Sequence, residues 1–207
     1  MTKAECLAWL KRGRIVPVIR APSPDQALRM IEALLAGGID ILEITMTVPG
    51  AIELIREVAE GFGSRALVGA GTVLDPETAE ACIAAGAQFV VSPAFDAETV
   101  TVCNHHGIVT APGALTPSEI VRAFRAGGDV IKVFPCDALG GAPYLRSLRA
   151  PLPHIPLMPT GGVTLETLSG FLAAGAVAVG VGTSLADPKI SSDELTDRAR
   201  AFRAAVL

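Results

Sequence analysis

The chain has 207 residues, and about 100–200 residues per domain is typical, so we expect one domain spanning residues 1–207. Half of the residues are hydrophobic and 18% are charged, a composition that excludes an intrinsically disordered chain. The apolar runs are too short for a transmembrane helix, and a net charge of −4 without a basic cluster argues against nucleic acid and anionic membranes as partners.

The N-terminal stretch predicts an extra helix over Lys3–Lys11, with charged residues on both sides of a short amphipathic segment. It lacks the apolar core and the small-residue cleavage site of a signal peptide, so we expect a cytoplasmic protein.

The four cysteines are far apart and have no metal-ligand spacing, which predicts buried thiols rather than disulfides or a zinc site. They are Cys6, Cys82, Cys103 and Cys136.

Eight short aliphatic runs alternate with amphipathic stretches along the rest of the chain. These runs begin near Ile15, Asp40, Ala66, Gln88, Gly107, Asp129, Pro156 and Val177. Repeated β/α units form a parallel sheet that is buried on both faces. We therefore predict an α/β protein, a single (β/α)8 TIM barrel with an extra N-terminal helix. An open doubly wound sheet is the alternative, although no early G-x-G-x-x-G turn supports it.

Helix boundaries follow the same repeat. Capping residues precede the apolar stripes of four helices, at Ser23, Asp75, Thr116 and Thr164. A glycine-containing turn closes the helix before each of several strands, at residues 36–38, 85–87, 126–128 and 174–176. The last helix is expected over Asp193–Val206. The carboxyl ends of the strands differ from one another, and barrel active sites are built at that end.

Lys132 is an unusual residue because it lies inside the strand sequence DVIKVFP. Alternation places Val130, Lys132 and Phe134 on one face of this strand. Loss of solvation favours the uncharged amine, which can attack a carbonyl carbon, so Schiff-base chemistry is one interpretation. A lysine that reaches solvent from the strand end, or one paired with a carboxylate, is the structural alternative.

Glu43 is a second charged residue within a strand, in the sequence DILEITMT. If strands two and six both direct these side chains into the barrel, Glu43 can act as a proton shuttle beside the amine of Lys132. A purely structural buried ion pair is the alternative interpretation.

Two loops rich in glycine and hydroxyl groups follow strands seven and eight. They are Thr160-Gly161-Gly162 and Gly180-Val181-Gly182-Thr183-Ser184. The corresponding loops of barrels commonly bind phosphate through backbone N–H groups, so a phosphate or another anion is expected here.

Other strand ends carry Arg20, Thr72 and Pro93. Arg20 and Thr72 suit a substrate carboxylate, although Arg20 could form a rim salt bridge and Thr72 could cap a helix. His105, His106 and His154 fall in connections on the opposite face, which argues against a catalytic or metal role for them. Without a carboxylate and histidine cluster at the strand ends, we expect no metal.

A set of motifs in this order resembles the class I 2-keto-3-deoxy-6-phosphogluconate (KDPG)/4-hydroxy-2-oxoglutarate (KHG) aldolases. The motifs are IVPVIR, LEITMTVPGA, VGAGTV, AQFVVSP, PGALTPSE, IKVFP, PTGGV and VGVGTSL. The resemblance implies a homotrimeric (β/α)8 barrel in which Lys132 forms the Schiff base and Glu43 acts as acid and base. It also implies that Thr72 holds the substrate carboxylate and that Pro93 and Phe134 shape the pocket. Gly161, Gly162 and Thr183 would bind the distal phosphate, in loops that also contain Gly182 and Ser184.

One position departs from many relatives, which carry an arginine four residues after the glutamate. This chain has Thr47 there. The arginine binds the substrate carboxylate in those relatives, so we hypothesise that Arg20 or backbone N–H groups take over this role.

The resemblance implies cleavage of a 2-keto-3-deoxy-6-phospho sugar acid, 4-hydroxy-2-oxoglutarate or both. The products would be pyruvate and either glyceraldehyde 3-phosphate or glyoxylate, formed without a cofactor. Related 2-keto-3-deoxy-6-phosphogalactonate aldolase activity is an alternative. A non-aldolase isomerase or synthase that binds phosphate and a non-catalytic sensor of keto acids also remain open.

Overall fold

The computed structural model describes residues 1–206, and Leu207, the last residue of the predicted domain, lies outside the described residues. Residues 1–206 contain nine α-helices. They are α1 (Lys3–Gly13), α2 (Pro24–Ala36), α3 (Ala51–Phe62), α4 (Pro76–Ala84), α5 (Ala97–His105), α6 (Pro117–Arg125), α7 (Ala142–Arg149), α8 (Leu165–Ala173) and α9 (Ser192–Ala204). The predicted N-terminal helix and the predicted last helix are both present.

The strands match the eight predicted runs, with one difference. They are β1 (Ile15–Ile19), β2 (Ile41–Thr45), β3 (Leu67–Gly71), β4 (Phe89–Val91), β5 (Val109–Ala111), β6 (Gly113–Ala114), β7 (Ile131–Val133), β8 (Leu157–Pro159) and β9 (Val179–Val181). The fifth predicted run corresponds to β5, and a short additional strand, β6, follows it after Pro112, because proline has no N–H to donate to the ladder.

All strand pairs are parallel and form two groups. A curled six-stranded sheet has the order β5-β4-β3-β2-β1-β9, and a three-stranded sheet has the order β6-β7-β8. Short contacts join the two groups at both ends. The N–H of Val130, directly before β7, donates to the carbonyl of Thr110 in β5 over 3.4 Å, and Thr160 forms an isolated parallel bridge with Gly180.

Alternation along the strands divides the buried side chains into two clusters. The outer cluster lies between the sheet and the helices and includes Ile131 and Val133. The inner cluster lies inside the curled sheet and includes Val16, Ile41 and Val130. The parallel sheet is therefore buried on both faces, as the near-continuous apolar strands predict.

Helix α1 packs against the amino-terminal ends of the strands. Its residues Cys6 and Leu10 belong to the inner cluster. The indole N–H of Trp9 donates to Asp40 over 2.9 Å, and Lys3 forms a 3.0 Å salt bridge with Asp129. This end of the sheet is thus closed by apolar packing, which leaves the carboxyl ends of the strands for a site.

The predicted helix starts are confirmed at Ser23, Asp75, Thr116 and Thr164, each of which accepts a hydrogen bond from a backbone N–H of the first turn. The predicted glycine-containing turns after four helices are also present, and their glycines Gly38, Gly86, Gly127 and Gly175 have positive φ.

Every helix in residues 1–206 is too short or too polar to cross a membrane.

Candidate active site

Lys132 lies in the middle of β7 and points to the inside of the curled sheet. Its neighbours Ile131 and Val133 pack outwards into the helix layer, whereas Val130 lies in the inner cluster. Only 3% of Lys132 is exposed. The predicted alternation is therefore confirmed, and Lys132 does not reach solvent from the strand end.

Glu43 of β2 points to the same interior space from the opposite side of the curled sheet. Its Oε1 lies 3.9 Å from Nζ of Lys132. Glu43 is fully buried, and neither of its carboxylate oxygens accepts a hydrogen bond from any group in residues 1–206. A buried carboxylate without hydrogen bonds is expensive for stability, which favours a functional role over a structural ion pair.

Burial raises the pKa of Glu43 above its ordinary value. The positive charges of Lys132 and, to a smaller extent, Arg20 act in the opposite direction and lower this pKa. Desolvation is the largest of these effects. A carboxyl group with a raised pKa can hold a proton at a pH where an exposed glutamate has lost it, so Glu43 can serve as both acid and base.

Phe134 follows Lys132 on the same face, at the carboxyl end of β7. The amine Nζ of Lys132 lies 5.2 Å from the centroid of the Phe134 ring. A cation over an aromatic face is stabilised by the ring quadrupole. Phe134 therefore both borders the site and can stabilise positive charge on the Lys132 nitrogen.

A cavity of about 310 Å³ opens at the carboxyl ends of the strands. Seven of the predicted site residues line this cavity, namely Arg20, Phe134, Gly161, Gly162, Gly182, Thr183 and Ser184. The two glycine-rich loops thus meet as predicted. Arg20 lies on the same side as these loops, and it forms no salt bridge within residues 1–206, so the alternative of a rim ion pair is not supported.

The two loops are held by backbone contacts as well as side chains. Ser184 donates from its hydroxyl to the carbonyl of Val163 over 2.6 Å, which links the loop after β9 to the loop after β8. Thr164 caps α8, so the first turn of this helix borders the same cavity. The segment after β9 forms a single turn at Gly182, and the next helix, α9, begins at Ser192.

Pro93 lies in a neighbouring cavity of about 390 Å³ that shares Phe134 with the first one. Gly113, Glu119 and Arg122 also line this second cavity. The Phe134 ring therefore separates the surroundings of Pro93 from the glycine-rich loops.

Thr72 has a backbone conformation that β-branched residues rarely adopt, with φ of +59°. It follows directly on β3, and its predicted alternative role as a helix cap is wrong because Asp75 caps α4. Strained backbone at the carboxyl end of a strand is typical of functional sites.

Thr47 is exposed at the end of β2, and its hydroxyl lies 2.6 Å from the hydroxyl of Thr45. Thr45 donates its own proton to the carbonyl of Ile19. A hydroxyl has one proton, so Thr47 is the donor to Thr45 and offers only lone pairs to other groups. In this arrangement Thr47 is a poor substitute for an arginine that binds a carboxylate.

Thr160, which belongs to the first predicted glycine-rich loop but was not given a role of its own there, lines the cavity and is buried. Its hydroxyl group forms no hydrogen bond with any group in residues 1–206. A buried, unpartnered hydroxyl at a cavity wall can receive a ligand. The sequence indicated this segment through the hydroxyl group and the two glycines of Thr160-Gly161-Gly162.

The four cysteines are free and buried, as predicted. Burial raises the pKa of the Cys6 thiol to about 12 and that of the Cys136 thiol to about 11. These thiols are poor nucleophiles at neutral pH. Within residues 1–206, no three His, Cys, Asp or Glu side chains are grouped so that they could hold a metal ion.

Comparison with known proteins identifies similar sequences and structures. A family model described as KDPG and KHG aldolase matches residues 7–201. The 2-dehydro-3-deoxy-6-phosphogalactonate aldolase of Escherichia coli is 32% identical over 197 residues, which cover 95% of this chain and 96% of that protein. The 2-dehydro-3-deoxy-phosphogluconate aldolase of Pseudomonas aeruginosa is 39% identical over 163 residues, covering 79% of this chain and 74% of that protein.

A KDPG aldolase from Legionella pneumophila, solved with pyruvate captured at low pH as a covalent carbinolamine intermediate, is a similar structure. The two chains share 29% identity and a TM-score of 0.83, covering 97% of this chain and 96% of the other.

Proposed function

The chain belongs to the KDPG and KHG aldolase family, and we propose that it is a class I aldolase whose Schiff base forms on Lys132. It cleaves a 2-keto-3-deoxy-6-phospho sugar acid, 4-hydroxy-2-oxoglutarate or both. The products are pyruvate and either glyceraldehyde 3-phosphate or glyoxylate. The observation that carries this proposal is the buried amine of Lys132, 3.9 Å from the buried carboxyl of Glu43.

The reaction begins with attack of the Lys132 nitrogen on C2 of the keto acid. The carbonyl oxygen becomes a hydroxyl and leaves as water after Glu43 has protonated it. The resulting protonated imine accepts the electron pair of the C3–C4 bond when the substrate C4 hydroxyl loses its proton. Cleavage releases the aldehyde and leaves an enamine, which is protonated at C3 and hydrolysed to pyruvate. Because the imine is the electron sink, this mechanism requires no metal or organic cofactor.

Glu43 handles each proton transfer in this scheme. Its raised pKa supports the role, because the carboxyl can then give a proton to the carbinolamine hydroxyl and take one back within the same cycle. The Phe134 ring stabilises the positive charge of the imine.

Thr72 binds the substrate carboxylate, and Pro93 and Phe134 shape the pocket. The positive φ of Thr72 supports this assignment, since it holds the residue in a fixed conformation directly after β3. Thr47 lies near this end of the sheet as well, but its proton is used by Thr45, so the carboxylate contact rests on Thr72 and on backbone N–H groups.

The glycine-rich loops bind the distal phosphate. Gly161, Gly162, Gly182, Thr183 and Ser184 line one cavity, and the backbone N–H groups of such glycine-rich loops suit an anion. Arg20 lines the same cavity. Its position supports contact with this phosphate rather than the carboxylate role that the sequence suggested.

We further propose that residues 1–206 form one closed (β/α)8 barrel with an added N-terminal helix. Closure is supported by the hydrogen bond from Val130 to Thr110 and by the bridge between Thr160 and Gly180, which connect the two groups of strands. Assembly as a homotrimer follows from the family resemblance, and light scattering coupled to gel filtration would test it. A cytoplasmic location stays a prediction.

The phosphogalactonate substrate is a specific alternative to the phosphogluconate substrate. The E. coli relative named for the former aligns over 95% of this chain, whereas the P. aeruginosa relative named for the latter is more identical over a shorter segment. The two substrates differ in stereochemistry, which side-chain placement decides. Comparison of kcat/KM for both phosphorylated acids and for 4-hydroxy-2-oxoglutarate would distinguish them.

Borohydride reduction in the presence of pyruvate tests the proposed chemistry. The parent chain should gain the mass of a reduced pyruvyl group at Lys132, and Lys132→Arg should gain none. Trapping at a different lysine would refute the assignment. An isomerase or synthase would give no adduct, and a sensor of keto acids would show no cleavage in an assay coupled to lactate dehydrogenase.

A further inference from the structure

Strand β3 presents two glycines to the inside of the curled sheet, where other strands present side chains. Gly69 pairs with Glu43 and Gly71 pairs with Thr45 in the register of β2 and β3. The space beside each glycine is filled by a side chain from a neighbouring strand. The Phe89 ring of β4 lies against Gly69, and the Glu43 side chain of β2 lies against Gly71.

Glu43 leans towards the carboxyl end of the sheet. Its backbone is level with Gly69, but its carboxyl group packs against Gly71, two residues further along β3. A methyl group on Gly71 would lie 2.6 Å from Cγ and 2.8 Å from Cδ of Glu43, and nearer still to Oε1. Side-chain Cβ atoms essentially never approach other heavy atoms this closely. The present position of the carboxyl group therefore requires glycine at residue 71.

The backbone of Gly71 has little freedom to move away. Its carbonyl accepts a 2.8 Å hydrogen bond from the N–H of Met46. The next residue, Thr72, has the uncommon φ of +59°. A methyl group at residue 71 would thus displace the Glu43 side chain rather than the strand, because the side chain is the more flexible of the two.

We propose that Gly71 is a positioning residue for the aldol reaction, whose missing side chain leaves the space that holds the Glu43 carboxyl group beside Lys132. Glu43 has no hydrogen-bond partner that could set its orientation within residues 1–206. Steric fit against Gly71 takes the place of such a partner. The kinetic consequences of this inference rest on the proposed aldolase function. The contact between Gly71 and Glu43 does not depend on that function.

The kinetic test is Gly71→Ala, with Gly69→Ala as the matched control. Gly71→Ala should lower kcat by about 100-fold, the loss that a misplacement of about 1 Å can cause, while KM changes far less. The limb of the pH–kcat profile that reports Glu43 should also move, because the carboxyl group changes its distance from Lys132. Gly69 lies on the same strand as Gly71, but Gly69→Ala disturbs the Phe89 ring of β4, so it should lower stability and leave this limb in place. Parental kcat and pH profile in Gly71→Ala would overturn the proposal.

An unfolding cycle tests the contact independently of activity. The urea midpoint is measured for the parent, Gly71→Ala, Glu43→Ala and the double variant. Gly71→Ala should lower the midpoint in the parent and not in the Glu43→Ala chain, where the space is free. Equal decreases in both chains would overturn the contact. If Gly71→Ala alone does not fold, folding of the double variant supports the proposal, and failure of both variants to fold contradicts it.

The two tests also separate this inference from the proposed function. A parent chain that gives no pyruvyl adduct and no cleavage contradicts the aldolase function, whereas the unfolding cycle still reports whether Gly71 and Glu43 compete for the same space.

Discussion

Glu43 and Lys132 approach each other within 3.9 Å from strands on opposite sides of the curled sheet. The separation is longer than a hydrogen bond, and neither oxygen of Glu43 has a hydrogen-bond partner within residues 1–206. Two buried groups held close but unbonded have unused hydrogen-bonding capacity, and a substrate placed between them could satisfy it. The arrangement suits a carbinolamine, which has an oxygen for Glu43 and a carbon bonded to the nitrogen of Lys132.

Replacement of the Glu43 carboxyl group should remove proton transfer with little change in shape. We expect Glu43→Gln to lower kcat by about 10²- to 10⁴-fold, the usual contribution of a general acid and base. Steady-state cleavage of the keto acid measures this change. Asp40→Asn is a matched control near the amino-terminal end of the same strand, where Asn can still accept the hydrogen bond from Trp9. A kcat for Asp40→Asn as low as that of Glu43→Gln would contradict a specific role for Glu43.

The same substitution should change how stability depends on pH. Burial raises the pKa of Glu43 in the folded chain, so the folded state binds its proton more tightly than the unfolded state does. The stabilisation is complete below the unfolded pKa of about 4.3 and is lost as the pH rises through the higher folded pKa. Glu43→Gln has no such loss. Its midpoint in urea, relative to the parent, should therefore increase with pH and then level off. If the urea midpoint of Glu43→Gln instead decreased relative to that of the parent as the pH rises, this would contradict a raised pKa of Glu43.

Arg20 should distinguish phosphorylated from unphosphorylated substrates, because it lines the cavity formed by the glycine-rich loops. Loss of a charge-assisted hydrogen bond of about 1.5–3 kcal/mol corresponds to about 10- to 100-fold in affinity. Arg20→Ala should raise KM for a phosphorylated keto acid by this factor and leave KM for 4-hydroxy-2-oxoglutarate nearly unchanged. If pyruvate affinity falls instead, the carboxylate role first suggested by the sequence is the correct one.

Thr72 combines a hydroxyl group with a strained backbone, and two variants separate these properties. Thr72→Val keeps the branched shape and removes the hydroxyl, so pyruvate affinity should fall by about tenfold, as expected for one lost hydrogen bond of about 1.4 kcal/mol. Thr72→Ser keeps the hydroxyl and should retain pyruvate affinity. Borohydride trapping at a series of pyruvate concentrations measures both affinities. Equal affinities in the two variants would show that the hydroxyl does not bind the carboxylate.

The inward direction of Glu43 and Lys132 could be predicted because strand side chains alternate with a period of two residues. The meeting of the two glycine-rich loops could also be predicted, since consecutive parallel strands end at the same edge of the sheet. The contact between Glu43 and Gly71 could not, because it depends on a side-chain rotamer and not on strand register. The backbone conformation of Thr72 leaves no pattern in the residue types either.

The direction of the Arg20 side chain could not be predicted from the sequence either. Its place directly after β1 is evident from the chain, but a long side chain at a strand end can turn to either side. The side that it takes decides between a carboxylate and a phosphate ligand. The short strand β6 is a smaller case, because its two residues follow Pro112 and lie beyond the run that predicts β5.

Helix α1 should affect stability without affecting the chemistry, because it lies at the end of the sheet away from Lys132. Leu10 is buried in the inner cluster, so Leu10→Ala should lower the free energy of unfolding by about 2–5 kcal/mol. Trp9→Phe loses the hydrogen bond to Asp40 but keeps an aromatic ring, and about 1 kcal/mol is expected there. In both variants kcat per folded molecule and borohydride trapping at Lys132 should equal those of the parent, because the strands beside Lys132 keep their own pairing. Reduced trapping in folded Leu10→Ala would show instead that packing at the amino-terminal end of the sheet sets the position of Lys132.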